Sequence, residues 1–404
     1  MVICIIGSGE IGFRMSKVQR KCKILLIAKS LGGGGSETAM IEFINYFPTE
    51  DYELSVLLLD KDDEYKYRIN RDIIVNYIDF DNEFYHSLAS MYTLPGKIIK
   101  KMQINKFVGM YDMLANHAKA PLESYDIALD FYGYGAFTTA FLALKVDAKV
   151  KATWIHDEYM PWLANSKRYF DKIDKICCVS DAIKTVFDVK FPNYTDKSLV
   201  IYNVIDKERI IKQSTTGYPE EFKKDTFNIL TVGRLTEQKG YDVALKAAKI
   251  LKEKGINFKW YALGIGRDYK KLEKLILNYE LKDFFYLLGR RDNPYLYIKN
   301  CDLYVQPSRH EGYSVAVTEA RILNKVIIVS NIPSNAEQIH DKVTGLISEL
   351  NAEAFADTIF RIYTDNELRK RILSNVQEVE INFDAEIDKI GKMFEEYELA
   401  KANP

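Results

Sequence analysis

The sequence predicts an α/β chain of two domains, each built on a parallel sheet. Three observations point there. At 404 residues the chain is too long for one ordinary core. Short apolar runs alternate with longer segments of helical periodicity through both halves. The clearest βαβ unit is residues 302–330, DLYVQPSRHEGYSVAVTEARILNKVIIVS: a strand from Asp302 to Gln306, a polar loop, a helix opening near Ser314, and a strand from Val326 to Ser330. Such units hold ligands where the carboxyl end of a strand meets a helix N-terminus.

Composition narrows the function classes. With 47% hydrophobic and 28% charged residues and a formal net charge of −1, the chain is a folded, soluble one. It has no basic excess, so nucleic acid is not expected as a partner. Cys4, Cys22, Cys177, Cys178 and Cys301 form no C-x-x-C pair, which suits a reducing cytoplasm better than a disulfide framework or a zinc site. No run approaches the roughly 20 apolar residues of a membrane helix.

Residues 1–21 read as an N-terminal extension. Gly7, Gly9 and Gly12 have G-x-G-x-x-G spacing, but only about ten residues follow before the next strand, too few for a crossover. A dispensable extension, with Met15 as an alternative start, and an extra edge strand are both open.

The first domain spans 22–206. Its strand Lys23 to Ala28 enters the glycine loop SLGGGGS, Ser30 to Ser36, before a helix from Glu37 to Phe47. Four glycines there permit a tight turn, close approach of a ligand, or both. Strands follow at Glu53 to Leu59 and Ile73 to Ile78. A basic segment from Leu88 to Ala118 reads as one or two helices, with Lys97, Lys100, Lys101 and Lys106 among apolar residues. It packs on its own domain or, through 94–111, touches an anionic membrane surface. After a strand at Asp126 to Asp130 and a helix at Ala136 to Leu144, the strand Lys151 to Ile155 ends in His156-Asp157-Glu158. His156 either faces the ligand crevice or caps its strand by a backbone hydrogen bond. Strand Lys175 to Val179 leads to Ser180, a good helix cap, and Leu199 to Tyr202 is the last strand. The polar stretch 207–225, with Gly217 and Pro219, reads as the connection between domains.

The second domain spans 207–385. Its strands at Phe227 to Val232, Phe258 to Leu263, Phe285 to Leu288 and Asp302 to Gln306 end at 233, 264, 289 and 307, which share one rim in a parallel sheet. Arg234 and Lys239, on the loop GRLTEQKG, supply a bidentate fork and a point charge for a diphosphate. N–H groups of Gly312 to Val315, with the helix dipole behind them, suit the same guest. Glu311 and Glu319 flank that anion site and so need other tasks. Glu319 can accept hydrogen bonds from the vicinal hydroxyls of a ribose, and Glu311 can face the ligand beyond the phosphates. The plainer alternative is a solvated helix acid and an ordinary loop acid.

From about residue 22 to 385 the chain resembles the GT-B glycosyltransferases of family 4, a retaining, nucleotide-sugar-dependent group, here of surface-polysaccharide type. The matching stretches are GGGGSE, WIHD at 154–157, CVSDAIK at 178–184, VIYNVID at 200–206, VGRLTEQKG at 232–240, LGIG at 263–266, LGRRD at 288–292 and the E-x7-E pair Glu311 and Glu319. The resemblance implies two Rossmann-like domains facing each other across a cleft, the first on the acceptor side and the second binding the nucleotide sugar. The C-terminal helix, residues 386–404, would cross back to the first domain. It further implies Arg234 and Lys239 on the donor diphosphate, Glu319 on the ribose, Glu311 at the transferred sugar, and amides near Tyr313, Ser314 and Val315 on the phosphates. Gly264 would line the rim, Gly289 and Arg290 would sit at the nucleobase, Gly33 and Gly34 would let the first domain close over the diphosphate, and His156 would contact the donor sugar. Tyr313 departs from the family, which often has Phe there.

The implied activity transfers a hexosyl or N-acetylhexosaminyl group, from a UDP-sugar rather than a GDP-sugar, to a saccharide acceptor that is lipid-linked in relatives of this type. No cofactor and no metal are expected, since no D-x-D stands at a strand end of the rim. The expected place is the cytoplasm, at the inner face of the membrane if 94–111 touches it. Two other classes remain: a sugar-nucleotide epimerase, which would turn over donor alone, and a non-catalytic UDP-sugar-binding protein.

Overall fold

The computed structural model describes residues 20–32, 35–92, 109–133, 136–158, 160 and 163–402, and within them the apolar runs form two parallel sheets. The first contains β1 (Cys22–Ala28), β2 (Tyr52–Leu58), β3 (Ile74–Tyr77), β4 (Tyr125–Asp130), β5 (Ala148–Ile155), β6 (Lys175–Cys178) and β7 (Ser198–Val200), in the order 3-2-1-4-5-6-7. The second contains β8 (Phe227–Val232), β9 (Phe258–Leu263), β10 (Phe285–Gly289), β11 (Leu303–Gln306), β12 (Ile327–Ser330) and β13 (Leu346–Ser348), in the order 10-9-8-11-12-13. Helices cover both faces of such sheets, so central strands read as continuous apolar runs. Every residue of β4, β11 and β12 is buried. In each sheet the order reverses beside the first strand, between β1 and β4 and between β8 and β11. The crevices outside the carboxyl ends of those pairs are the places where such sheets bind ligands.

Helix α1 (Gly35–Tyr46) leaves the glycine loop and buries Ala39, Met40, Ile41, Phe43 and Ile44. Helix α2 (Asp181–Lys190) opens at Ser180, whose hydroxyl accepts the Ile183 N–H at 3.2 Å. The stretch 207–225 is more than a connection. It holds α3 (Lys207–Ser214), capped by Asp206, which accepts the Arg209 N–H at 2.9 Å, and burying Ile210 and Ser214. Its polar average hides the one buried apolar position and the Asp cap that make it a helix. The second domain adds α4 (Tyr241–Glu253), α5 (Pro294–Asn300) and α6 (Val315–Ile322), and α3 packs on α5 and α6.

Helix α7 (Asp384–Ala402) returns to the first domain. There Glu386 accepts the Tyr202 N–H at 2.9 Å, Glu396 pairs with Lys175 at 2.7 Å and Glu398 with Lys149 at 3.0 Å. The domains also meet directly. Glu337 of the second accepts the first-turn N–H groups of Asp181 (2.9 Å) and Ala182 (2.6 Å) at the start of α2, where an anion is favoured. Arg290 pairs with Glu64 of the first domain. Among the described residues no helix is long and apolar enough to cross a membrane. Residues 1–19, Gly33, Gly34 and most of 94–111 lie outside the described residues.

Candidate active site in the interdomain cleft

The second switch point gathers the rim residues. The loop after β8 and the loop after β11 are stitched together: Arg309 holds Asp242 with two bonds of 2.8 Å, its N–H donates to the Gln238 carbonyl at 2.7 Å, and the Gln238 side chain donates to the His310 carbonyl at 3.0 Å. This brings Lys239 onto Glu311, with Nζ 2.6 Å from Oε1 and side chains 14% and 8% exposed. The same carboxylate oxygen accepts the Ser308 hydroxyl at 2.5 Å, Ser308 accepts from Gln306 at 2.9 Å, and Gln306 accepts the Tyr304 hydroxyl at 2.8 Å. Glu311 is thus neutralised and oriented from below. Arg234 is exposed on the same loop, and its side chain has no hydrogen bond or ion pair among the described residues.

Gly264 earns its place through the backbone beside it. A Cβ there would sit 2.0 Å from the Gly233 carbonyl oxygen, so glycine lets the loops after β8 and β9 close on each other. Gly289 has φ +71°, in the left-handed region, with open space on its side-chain face. Arg290, beside it, reaches Glu64 and lies over the Tyr65 ring at 5.4 Å. At the start of α6, Ser314 caps the helix through its backbone alone. The Gln338 amide, turned so that its oxygen faces donors, accepts the Ser314 N–H at 2.9 Å. Tyr313 packs its ring 4.9 Å from that of Tyr202 across the domain boundary, and Val315 is half-buried as the first helical residue.

Glu319 is buried on α6, and its surroundings were not legible from motifs. Burial pushes its pKa up to about 7, and the nearby Glu42 carboxylate adds to that, while Arg68, Arg209 and the Tyr295 hydroxyl oppose it. Glu42, on α1 of the first domain, is fully buried; it pairs with Arg209 and lies 3.5 Å from Arg68 Nη2. A charged residue inside the apolar run AMIEFI of an otherwise amphipathic helix is the one sequence signal that marks Glu42.

From the first domain, His156 stands at the end of β5 with Nε2 2.6 Å from the Phe131 carbonyl oxygen. Burial pushes its pKa down to about 4, so the ring is neutral at pH 7 and Nε2–H donates to that carbonyl. Its carbonyl oxygen presses on the second domain: a Cβ at Gly312 would lie 1.9 Å from it. His310 lies 3.5 Å from Asp157, whose carboxylate raises the His310 pKa, and burial raises that of Glu158. The cleft therefore brings together His156, Glu311, Lys239 and Arg234 along its two walls, with Glu319 at the base of α6.

Two parallel-sheet domains of this topology, facing each other across a cleft with a C-terminal helix crossing back, define the GT-B fold. Residues 217–379 match the family described as Glycosyl transferases group 1. Among curated proteins, the chain is 30% identical over 239 residues to an uncharacterised glycosyltransferase of Methanocaldococcus jannaschii, covering 57% of this chain and 63% of that one. It is 30% identical over 176 residues, 43% of this chain and 46% of the relative, to a Campylobacter jejuni protein named N-acetylgalactosamine-N,N'-diacetylbacillosaminyl-diphospho-undecaprenol 4-alpha-N-acetylgalactosaminyltransferase. The chain spans less than two thirds of the length of these curated relatives. Among solved structures, HepE of Anabaena in complex with UDP and glucose superposes with a TM-score of 0.71 at 17% identity, covering 93% of this chain and all of that one. The resemblance to GT-B glycosyltransferases is borne out at that level; the numbered family is not specified.

Proposed function

We propose that this chain is a retaining glycosyltransferase that moves a hexosyl or N-acetylhexosaminyl group from a UDP-sugar to a saccharide acceptor, in the assembly of a lipid-linked surface polysaccharide. The observation that carries this is the convergence at the ends of β8 and β11: an open Arg234 beside the neutralised Lys239–Glu311 pair, under the start of α6. The bond from the anomeric carbon to the diphosphate oxygen breaks, the acceptor oxygen bonds to that carbon on the same face, and the acceptor proton passes to the leaving phosphate. Arg234 and the helix N-terminus stabilise the charge that develops on the diphosphate. Glu311 faces the transferred sugar, Glu319 holds the ribose, and neutral His156 offers the donor sugar a wall of the first domain.

On this reading Arg234 and the helix N-terminus carry the developing charge themselves, so no metal is expected. The UDP and glucose bound in the HepE structure support a UDP-sugar as donor, and the Campylobacter relative's name supports a lipid-diphosphate acceptor. Such an acceptor would place the reaction at the cytoplasmic face of a membrane.

A thermal-shift panel of UDP- and GDP-sugars, with and without EDTA, tests the reading. One UDP-sugar should raise Tm, unchanged by EDTA, and transfer should fall by orders of magnitude in Arg234→Ala while the variant melts with the native protein. A response to no nucleotide sugar, or a strict need for added metal, sinks it.

A further inference from the structure

We propose that Ser308 is the positioning residue for Glu311: its hydroxyl and Lys239 together take one carboxylate oxygen, Oε1, so that the other, Oε2, is the atom offered to the transferred sugar. This rests on the reading, given above, of Glu311 as the group that faces that sugar.

The geometry is a chain of hydrogen bonds whose direction is fixed from end to end. An amide oxygen only accepts and an amide nitrogen only donates. The Tyr304 hydroxyl donates to Gln306 Oε1 at 2.8 Å, so Gln306 turns its nitrogen to Ser308 and donates to Oγ at 2.9 Å. With that lone pair occupied, the Ser308 hydrogen turns to Glu311, where Oγ lies 2.5 Å from Oε1. That is the length of a hydroxyl bond to an ionised acceptor. A second chain pins the backbone of the same residue. On the turn Pro333–Ala336, Asn335 donates to the Ser330 carbonyl at 2.9 Å, and the Ser330 hydroxyl donates to the Ser308 carbonyl. Tyr304, Gln306, Ser308, Ser330 and Asn335 are all 0% exposed, so water does not compete for either chain.

The carboxylate at the end of the chain is used unevenly. Oε1 accepts from Lys239 at 2.6 Å and from Ser308. Oε2 has no hydrogen-bond partner among the described residues and is not sealed from solvent. An ionised carboxylate oxygen only accepts, so Oε2 calls for a hydroxyl or amide N–H on the sugar. The two partners of Oε1 differ in what a donor nucleotide asks of them. Lys239 carries a charge for which the diphosphate competes. Ser308 carries none, and its buried chain leaves its hydrogen nowhere else to turn. When Lys239 turns to the diphosphate, Ser308 keeps Oε1 and so keeps Oε2 aimed at the sugar.

The probes are UDP and the UDP-sugars of glucose, galactose, N-acetylglucosamine and N-acetylgalactosamine, on the full chain. Calorimetry reads UDP affinity, and UDP release reads turnover. Ser308→Ala should bind UDP with native affinity, since no phosphate contact is lost. Its kcat/KM for the UDP-sugar that the native chain cleaves should fall about tenfold or more, the loss expected for one hydrogen bond to a charged group. Ser308→Cys keeps the volume but offers a poor donor, so its turnover should lie between the two; it takes the place of Ser308→Ala if that variant does not fold. UDP binding weakened as much as turnover, or native turnover, overturns the assignment. Should the native chain cleave none of the four sugars, the reading of Glu311 at the sugar falls by itself. Crystal structures of the native chain and the variant then decide Ser308: a rotated Glu311 carboxylate supports its hold, and an unrotated one ends it.

Discussion

Replacing Lys239 by Met isolates the ion pair at the centre of the cleft. The pair is short, at 2.6 Å, and its side chains are 14% and 8% exposed, so it lies close to the buried limit. Removing the ammonium leaves Glu311 charged, with the Ser308 hydroxyl as its remaining side-chain partner among the described residues. Breaking a buried pair from one side costs about 3–5 kcal/mol, and the residual exposure favours the low end, about 3 kcal/mol. For a domain of this size each kcal/mol moves Tm by about 2–4 °C, so the second domain should melt about 6–12 °C lower by scanning calorimetry. Adding Glu311→Gln removes the stranded charge, and the double variant should regain at least half of that loss. A Lys239→Met protein that melts with the native one, or a double variant that melts lower than either single one, would refute the reasoning. The first result would mean that water already screens the pair, and the second that the two side chains act independently.

Glu319 makes stability depend on pH in a direction opposite to most acids. Its folded pKa, about 7, lies above the usual 4.5, so the folded state holds the proton more tightly and loses relative stability as pH rises from about 4.5 to 7. Glu319→Gln should therefore melt with the native protein at pH 4.5 and above it at pH 8, by up to about 3 kcal/mol; a constant difference across that range would exclude the shift. Gly312→Ala puts a methyl group where the His156 carbonyl stands, 1.9 Å away. It should part the domains without unfolding either, read as a larger radius of gyration by small-angle scattering; unchanged scattering would place the contact elsewhere. Arg309→Met cuts the bidentate tie to Asp242 and should weaken UDP binding while costing about 1–3 kcal/mol, visible in denaturant titration; native affinity would mean the two rim loops are held by other bonds.

The strands were legible because a parallel sheet buries both faces and writes continuous apolar runs. Phe258–Leu263 and Phe227–Val232 were read to the residue. Helix α3 was missed because eight residues with one buried apolar side chain carry almost no periodicity, and its packing on α5 and α6 is a long-range property. The rim residues were legible as a set because glycine, arginine, lysine and glutamate recur at strand ends, which only a shared edge explains. What they do to one another was not. The sequence puts Lys239 and Glu311 72 positions apart, and nothing local says that one neutralises the other. Nor does it show that Arg290 faces Glu64 of the first domain, since that contact exists only once both domains are built.

That mutual neutralisation answers the difficulty posed by two carboxylates beside an anion site. Glu311 is cancelled by Lys239, and Glu319 sits in a cluster where Arg68 and Arg209 balance it and Glu42. The charge left over on the rim is Arg234, exposed and with no side-chain partner among the described residues, with the positive end of α6 behind the neighbouring loop. On the proposed reading a diphosphate is drawn by Arg234 first, and Lys239 becomes available to it only by leaving Glu311. The two cations are therefore unequal. Arg234→Ala should weaken UDP binding more than Lys239→Met does, whereas stability should rank them the other way, because one side chain has no partner to abandon and the other leaves a buried carboxylate behind.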